Sequence, residues 1–317
     1  ERALYNGFAA GVSQEGDRFF YQNALTSYGD YARFDRINVP CCPPNVVRLM
    51  AQLGSYIYAQ AAEGIYVNLF VDSTSSVKLG ERTVKLTQAT RYPWEGSVKL
   101  TVEPDKAGRF TLYVRIPEWA QHKPLPSDLY TYIGAADARP VLKVNGSPVE
   151  LAIDKGYVAL ARKWSAGDTV EIDLPMPVRK AVSHPSVQDN VGRVALERGP
   201  LVYCVEWPDN GGQALNIVVP DDAVLKGEFR PDLLNGIGVV TGEVKAVARD
   251  ADGRSVTVVP HEMTAIPYYA WANRGMGEMT VWIARDQATA MLKPVLPEPI
   301  AKVSDFGGIV KAYTGYG

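Results

Sequence analysis

Gly64-Ile65-Tyr66-Val67-Asn68-Leu69-Phe70-Val71 (residues 64–71) places an apolar side chain at every second position through Ile65, Val67, Leu69 and Val71. A period of two belongs to a strand with one buried face. The same period returns in Val98, Leu100 and Val102, then in Phe110, Leu112, Val114 and Ile116, so from Gly64 onward the chain reads as β-protein. Asn145-Gly146 is the strongest short hairpin signal, and Ala166-Gly167-Asp168 separates Tyr157–Arg162 from Val170, Ile172 and Leu174. Short strands spaced by turn residues predict an antiparallel sandwich. Leu174-Pro175-Met176-Pro177 then leads into a second β-rich stretch from Arg193 to Trp207, with further strands near Val239–Val247 and Val256–Val259. Two sandwiches meeting near residue 180 are the simplest parse.

Ahead of residue 64 the pattern differs. Cys41-Cys42-Pro43-Pro44 precedes Val46, Leu49, Met50, Leu53, Tyr56 and Ile57 at helical spacing. Proline is tolerated in a first helical turn, so Pro43 and Pro44 mark a start, with Asn45 to Ala62 as the predicted body. Both thiols then sit at the positive end of a helix, a setting that lowers a cysteine pKa from about 8.5 into a range of roughly 3.5–7.5. Three readings stand side by side: two small buried hydrophobes, a reactive or metal-binding pair, and a vicinal disulfide, which strains the intervening peptide. Arg18-Phe19-Phe20-Tyr21-Gln22-Asn23 reads as a short extended segment. The opening Glu1-Arg2-Ala3-Leu4-Tyr5-Asn6-Gly7 reads as the inside of a helix, so the sequence is expected to be part of a longer one.

Composition narrows the function classes. With 317 residues, 46% hydrophobic and 21% charged, the chain is long enough for two domains or a little more. A net charge of −2 and the lack of a Lys/Arg run argue against a nucleic-acid partner. No apolar run reaches 18 residues and no signal peptide is visible, so a membrane partner is not expected. Three cysteines, two of them adjacent, cannot make a disulfide framework. His122, His184 and His261 stand singly at no chelating spacing, and Cys204 reads as core between Tyr203 and Val205. Tyr268, Tyr269 and Trp271 could stack on a sugar, but aromatics in β-proteins are mostly core.

Four stretches carry a resemblance: ERALYNGFAAGVSQEGDRFFYQNAL, CCPPNVVRLMAQLGSYIYA, RVALERGPLVYCVEW and IPYYAWANRGMGEMTVWI. Spread over nearly the whole chain, they resemble the C-terminal half of glycoside hydrolase family 127 and its close relative family 146, the β-L-arabinofuranosidases. The paired cysteines followed by Pro-Asn-x-x-Arg are the most specific of them. The resemblance implies a mainly β chain: the last helices of an (α/α)6 barrel over 1–62, followed by two antiparallel β-sandwich domains over 63–180 and 181–317. It implies zinc as cofactor, Cys41 as nucleophile, Cys41 and Cys42 as metal ligands, and Tyr21 beside the sugar. The family's acid/base Glu and its remaining zinc ligands lie in an upstream segment, so the chain alone is expected to be inactive. The implied partner is an arabinofuranose-containing oligosaccharide or glycoconjugate. A homodimer through a β-sandwich stays open, as does a cytoplasmic or periplasmic location. A non-catalytic carbohydrate-binding or structural module, a zinc-dependent or redox-switched interaction protein, and a glycosidase for another sugar are the competing readings.

Overall fold

The computed structural model describes residues 1–35, 41–62, 64–134, 138–250 and 255–292. These residues are mainly β, as expected. In the first β unit, six antiparallel strands run in the order Ser147–Val149, Val141–Val144, Asp168–Asp173, Ser97–Pro104, Arg82–Thr90 and Ser73–Leu79. Five more, in the order Ile153–Asp154, Tyr157–Trp164, Gly108–Arg115, Gly64–Val67 and Tyr58–Ala61, form a second sheet. The alternation explains the core between them. Val84, Leu86, Val98, Leu100, Val102, Val170 and Ile172 come from one sheet and Ile65, Val67, Leu112, Val114, Val158 and Leu160 from the other, all in one buried cluster. Each such side chain contributes about 1.5–3 kcal/mol by leaving water.

Two expectations are corrected here. The sandwich is not purely antiparallel, because Gly64–Val67 runs parallel to Gly108–Arg115. Between these strands the chain crosses to build three strands of the opposite sheet and returns in its original direction, a pairing no local pattern announces. The helix predicted to reach Ala62 spans Pro43–Gln52 and Gly54–Ile57, and Tyr58–Ala61 is a strand instead. Its antiparallel partner, Gly64–Val67, lies just beyond the next turn, so cross-strand bonds overrode a continuing helical period.

The Asn145-Gly146 hairpin forms as predicted, with φ of 50° and 77° at the two turn residues. The second β unit differs from an independent two-sheet sandwich. Its strands connect into one eleven-stranded sheet that closes on itself through Arg193–Arg198, Leu201–Glu206, Val256–Pro267, Ile237–Arg249, Ile217–Val218 and Ile283–Ala284. Val194, Leu196, Leu201, Tyr203, Val205, Val240, Met263 and Ile283, drawn from this ring, share one core. The sheet also takes up Val178–Ser183 and, from within the first unit's sequence, Tyr130–Ile133.

On its other side the ring carries the N-terminal segment. Cys204, Ile237, Val239, Ile266 and Trp271 pack with Ala10 and Phe20. Asn6 lies under the Gly199-Pro200 turn, donating to the Pro200 carbonyl at 2.9 Å and accepting from the Val202 N–H at 2.8 Å. Arg2 donates both ends of its guanidinium to Glu197 at 2.6 Å. Arg179 stands opposite Glu197 on the neighbouring strand. Its guanidinium is buried without a hydrogen-bond partner among the described residues, with the rings of Trp119 and Tyr132 at 5.7 and 5.5 Å. One carboxylate thus faces two arginines, and burial holds the Arg179 pKa down. A buried charge with no hydrogen bond is costly to hold, and Glu197 keeps both of its bonds to Arg2 when Arg179 is replaced. Arg179→Met is therefore expected to keep or raise the urea midpoint of unfolding, whereas Glu197→Met, which strands both arginines, should lower it.

Candidate active site

Helix Pro43–Gln52 begins with two prolines, with Cys42 as the residue that caps it. Cys42 supplies its carbonyl to the Asn45 N–H at 2.9 Å. The Asn45 side chain reaches back to the Cys41 carbonyl at 2.8 Å, and Arg48 donates to Asn45 Oδ1 at 3.3 Å. These contacts make the Pro-Asn-x-x-Arg stretch a brace for the cysteine backbone. In the sequence Asn45 and Arg48 stand only as part of a family pattern; their i, i+3 spacing on one helix face is the signal for the brace.

Both thiols are exposed and free among the described residues. Their Sγ atoms stand 3.5 Å apart, well beyond a disulfide bond of about 2.05 Å. Two sulfurs on one tetrahedral zinc, at about 2.3 Å each, would be separated by roughly 3.8 Å, so the pair fits as half of such a shell. Among the described residues no group of three or more His, Cys, Asp or Glu forms a site. His261 instead meets Asn210 at 3.3 Å, and the His184 ring accepts from the Ser186 N–H at 3.2 Å.

Tyr21 comes to the same place. Partial desolvation, then the nearby Cys41 side chain, pushes the phenol pKa up. The Cys42 thiol is also pushed up, first by its hydrogen bond with Cys41. Tyr21 is 40% exposed while its neighbour Phe20 is buried; the stretch expected to be extended bends at Tyr21 and Gln22 and has no regular alternation. The three expected site residues Tyr21, Cys41 and Cys42 are therefore brought together. Tyr268 and Trp271 are buried, and the Tyr268 hydroxyl donates to the Ala24 carbonyl at 2.8 Å, so these rings are core and do not meet a sugar.

Cys204 is fully buried, and desolvation raises its pKa well above the ordinary thiol value. A thiol probe is expected to modify two cysteines of the folded, metal-free chain quickly and the third only after denaturation. Peptide mapping should place the protected thiol at Cys204.

A mainly β chain whose paired-thiol helix precedes two β units matches a known class of carbohydrate-active proteins. The sequence model of the beta-L-arabinofuranosidase GH127 catalytic domain matches residues 1–55, that of the GH127 middle domain residues 64–176, and that of the glycoside hydrolase family 127 C-terminal domain residues 178–284. A non-reducing end beta-L-arabinofuranosidase from Bifidobacterium longum subsp. longum is 33% identical over 90% of this chain and 44% of its own length. The structure of a GH127 beta-arabinofuranosidase superposes with a TM-score of 0.86 at 40% identity, over 91% of this chain and 45% of that one. A GH127 beta-L-arabinofuranosidase from Geobacillus stearothermophilus T6 gives a TM-score of 0.79 at 39% identity, over 89% and 45%. The chain belongs to glycoside hydrolase family 127. It spans a little under half the length of these relatives.

Proposed function

We propose that the intact gene product is a retaining exo-glycosidase that releases β-L-arabinofuranose, with Cys41 as nucleophile. The observation that carries this reading is the pair of free thiols, 3.5 Å apart at the start of one helix. The matched relatives named as β-L-arabinofuranosidases supply the sugar class. Helices Leu4–Phe8 and Pro43–Gln52 belong, in this reading, to an (α/α)6 barrel; no residue of the latter is buried among the described residues.

Cys41 and Cys42 would hold a zinc ion, which keeps coordinating thiols deprotonated near neutral pH. Cys41 Sγ attacks the anomeric carbon, forming a C–S bond as the C–O bond to the leaving group breaks. A carboxylic acid not assigned to this chain protonates the departing oxygen. It then takes a proton from the water that displaces Cys41, and two inversions give net retention. Tyr21 contacts the sugar and presents its hydroxyl to the reacting sulfur. Asn45 and Arg48 hold the Cys41 backbone still, which keeps the nucleophile near its attack position.

Hydrolysis of an aryl β-L-arabinofuranoside by the intact gene product tests the reading, with release of the β-anomer followed by NMR before mutarotation. Retention with that sugar supports it. Inactivity on that sugar with turnover of another glycoside would reassign the substrate, and inversion would remove the thiolate mechanism.

A further inference from the structure

Tyr21 sits on a short segment with little regular structure of its own, so something else must fix it against Cys41. The backbone on either side is pinned by a few bonds: Phe19 and Phe34 exchange hydrogen bonds at 2.9 and 2.8 Å, and the Phe20 N–H donates to the Gly11 carbonyl at 2.9 Å. The side chain of Phe20 carries the rest. Its ring stacks on Trp271, with centroids 5.0 Å apart and planes 15° from parallel. The Arg33 guanidinium lies over the same ring at 4.6 Å.

Arg33 is 95% buried, and among the described residues no carboxylate is bonded to it. Its donors go to main-chain carbonyls: Nε and Nη2 to Ala10 at 3.3 and 3.0 Å, Nη1 to Trp271 at 2.8 Å. One side chain thus ties the end of the first helix, the ring beside Tyr21 and the loop after Tyr268. That loop is itself anchored. The Ala272 N–H donates to Glu206 Oε1 at 2.8 Å, and Arg274 bridges Glu206 at 2.6 Å and Asp209 at 2.5 Å. A buried arginine spent on carbonyls of separate segments is costly to hold unless geometry is what it secures.

We infer that Arg33 and Trp271 are positioning residues that set Tyr21 against Cys41 through Phe20, which makes the Trp271 loop of the C-terminal β unit a support of the active site. The inference rests on the proposed roles of Tyr21 and Cys41. It gives the C-terminal β unit a part in the reaction although none of its described side chains touches the thiols.

The test uses the intact gene product labelled with 3-fluorotyrosine, the Tyr21 resonance being identified by its loss in Tyr21→Phe. Cys41→Ala is expected to shift that resonance in the wild type and in Trp271→Phe, which keeps an aromatic stack. In Arg33→Met and Trp271→Leu the same change should leave it unmoved. A response preserved in both of these folded variants, or absent in the wild type, overturns the inference. Kinetics give a second arm. Tyr21→Phe and Arg33→Met should each lower kcat/KM roughly tenfold, and the double variant no further, because both remove one placement. A product of about a hundredfold would mean independent effects and count against it. Should the wild type fail to hydrolyse arabinofuranosides, the proposed function falls, while the fluorine spectra still decide the positioning.

Discussion

Replacing Cys41 by serine in the intact gene product is expected to lower kcat for arabinofuranoside hydrolysis by at least about 10⁴-fold, the scale on which loss of a covalent nucleophile is felt. A hydroxyl is slightly smaller than a thiol, so the Asn45 bond to the residue-41 carbonyl should survive and the fold with it. What disappears is a sulfur that ionises far more readily than an alcohol and attacks carbon well in that form. KM should change much less than kcat, because binding is left largely intact. Cys42→Ser should instead weaken metal retention together with activity. Comparable activity in Cys41→Ser at matched zinc content would place the nucleophile elsewhere.

The largest stability effect is expected at Trp164. Its ring is fully buried in the first β unit, 5.9 Å from Phe110, and its indole N–H donates to the Phe110 carbonyl at 3.1 Å. Trp164→Ala opens a cavity costing about 3–5 kcal/mol. It also removes the indole hydrogen bond to the Phe110 carbonyl, a further cost of roughly 0.5–1.5 kcal/mol. Against a typical domain stability of about 5–15 kcal/mol, that places the first unit near unfolding at room temperature. Urea unfolding followed by circular dichroism measures it. Val224→Ala, at a valine 86% exposed in the second β unit, serves as the control and should fall within about 0.5 kcal/mol of wild type. Equal midpoints for the two variants would mean that the Trp164 layer is not the core.

What the sequence made legible follows from the range of each signal. Alternation in Ile65–Val71, Val98–Val102 and Phe110–Ile116 is local, and strands form at Gly64–Val67, Ser97–Pro104 and Gly108–Arg115, the first stopping short of Leu69 and Val71. Asn145-Gly146 specifies its turn by backbone conformation alone. The parallel contact of Gly64–Val67 with Gly108–Arg115 depends on partners far apart in sequence, so periodicity was silent. The closure of the second β unit was hidden for another reason: Ile217–Val218 and Ile283–Ala284 are two residues long, too short to show a period.

The site divides in the same way. Cys41 and Cys42 were legible because two thiols before two prolines state their own setting, and Tyr21 because its motif resembled that of a family. Arg33 was not legible. It lies in a Gly/Asp/Tyr-rich loop, and its partners are carbonyls of Ala10 and Trp271, which no residue identity advertises. Trp271 was legible only as core, and its contact with Phe20 required the two chain ends to be seen together.

The most direct test of the central claim is mass spectrometry of the intact gene product, acid-quenched during turnover of an aryl β-L-arabinofuranoside and digested to peptides. A mass increase of one anhydropentose on the peptide containing Cys41, localised to that sulfur and absent from Cys41→Ser, is the predicted result. An adduct on a carboxylate or on Cys42, or retaining turnover undiminished in Cys41→Ser, would contradict it.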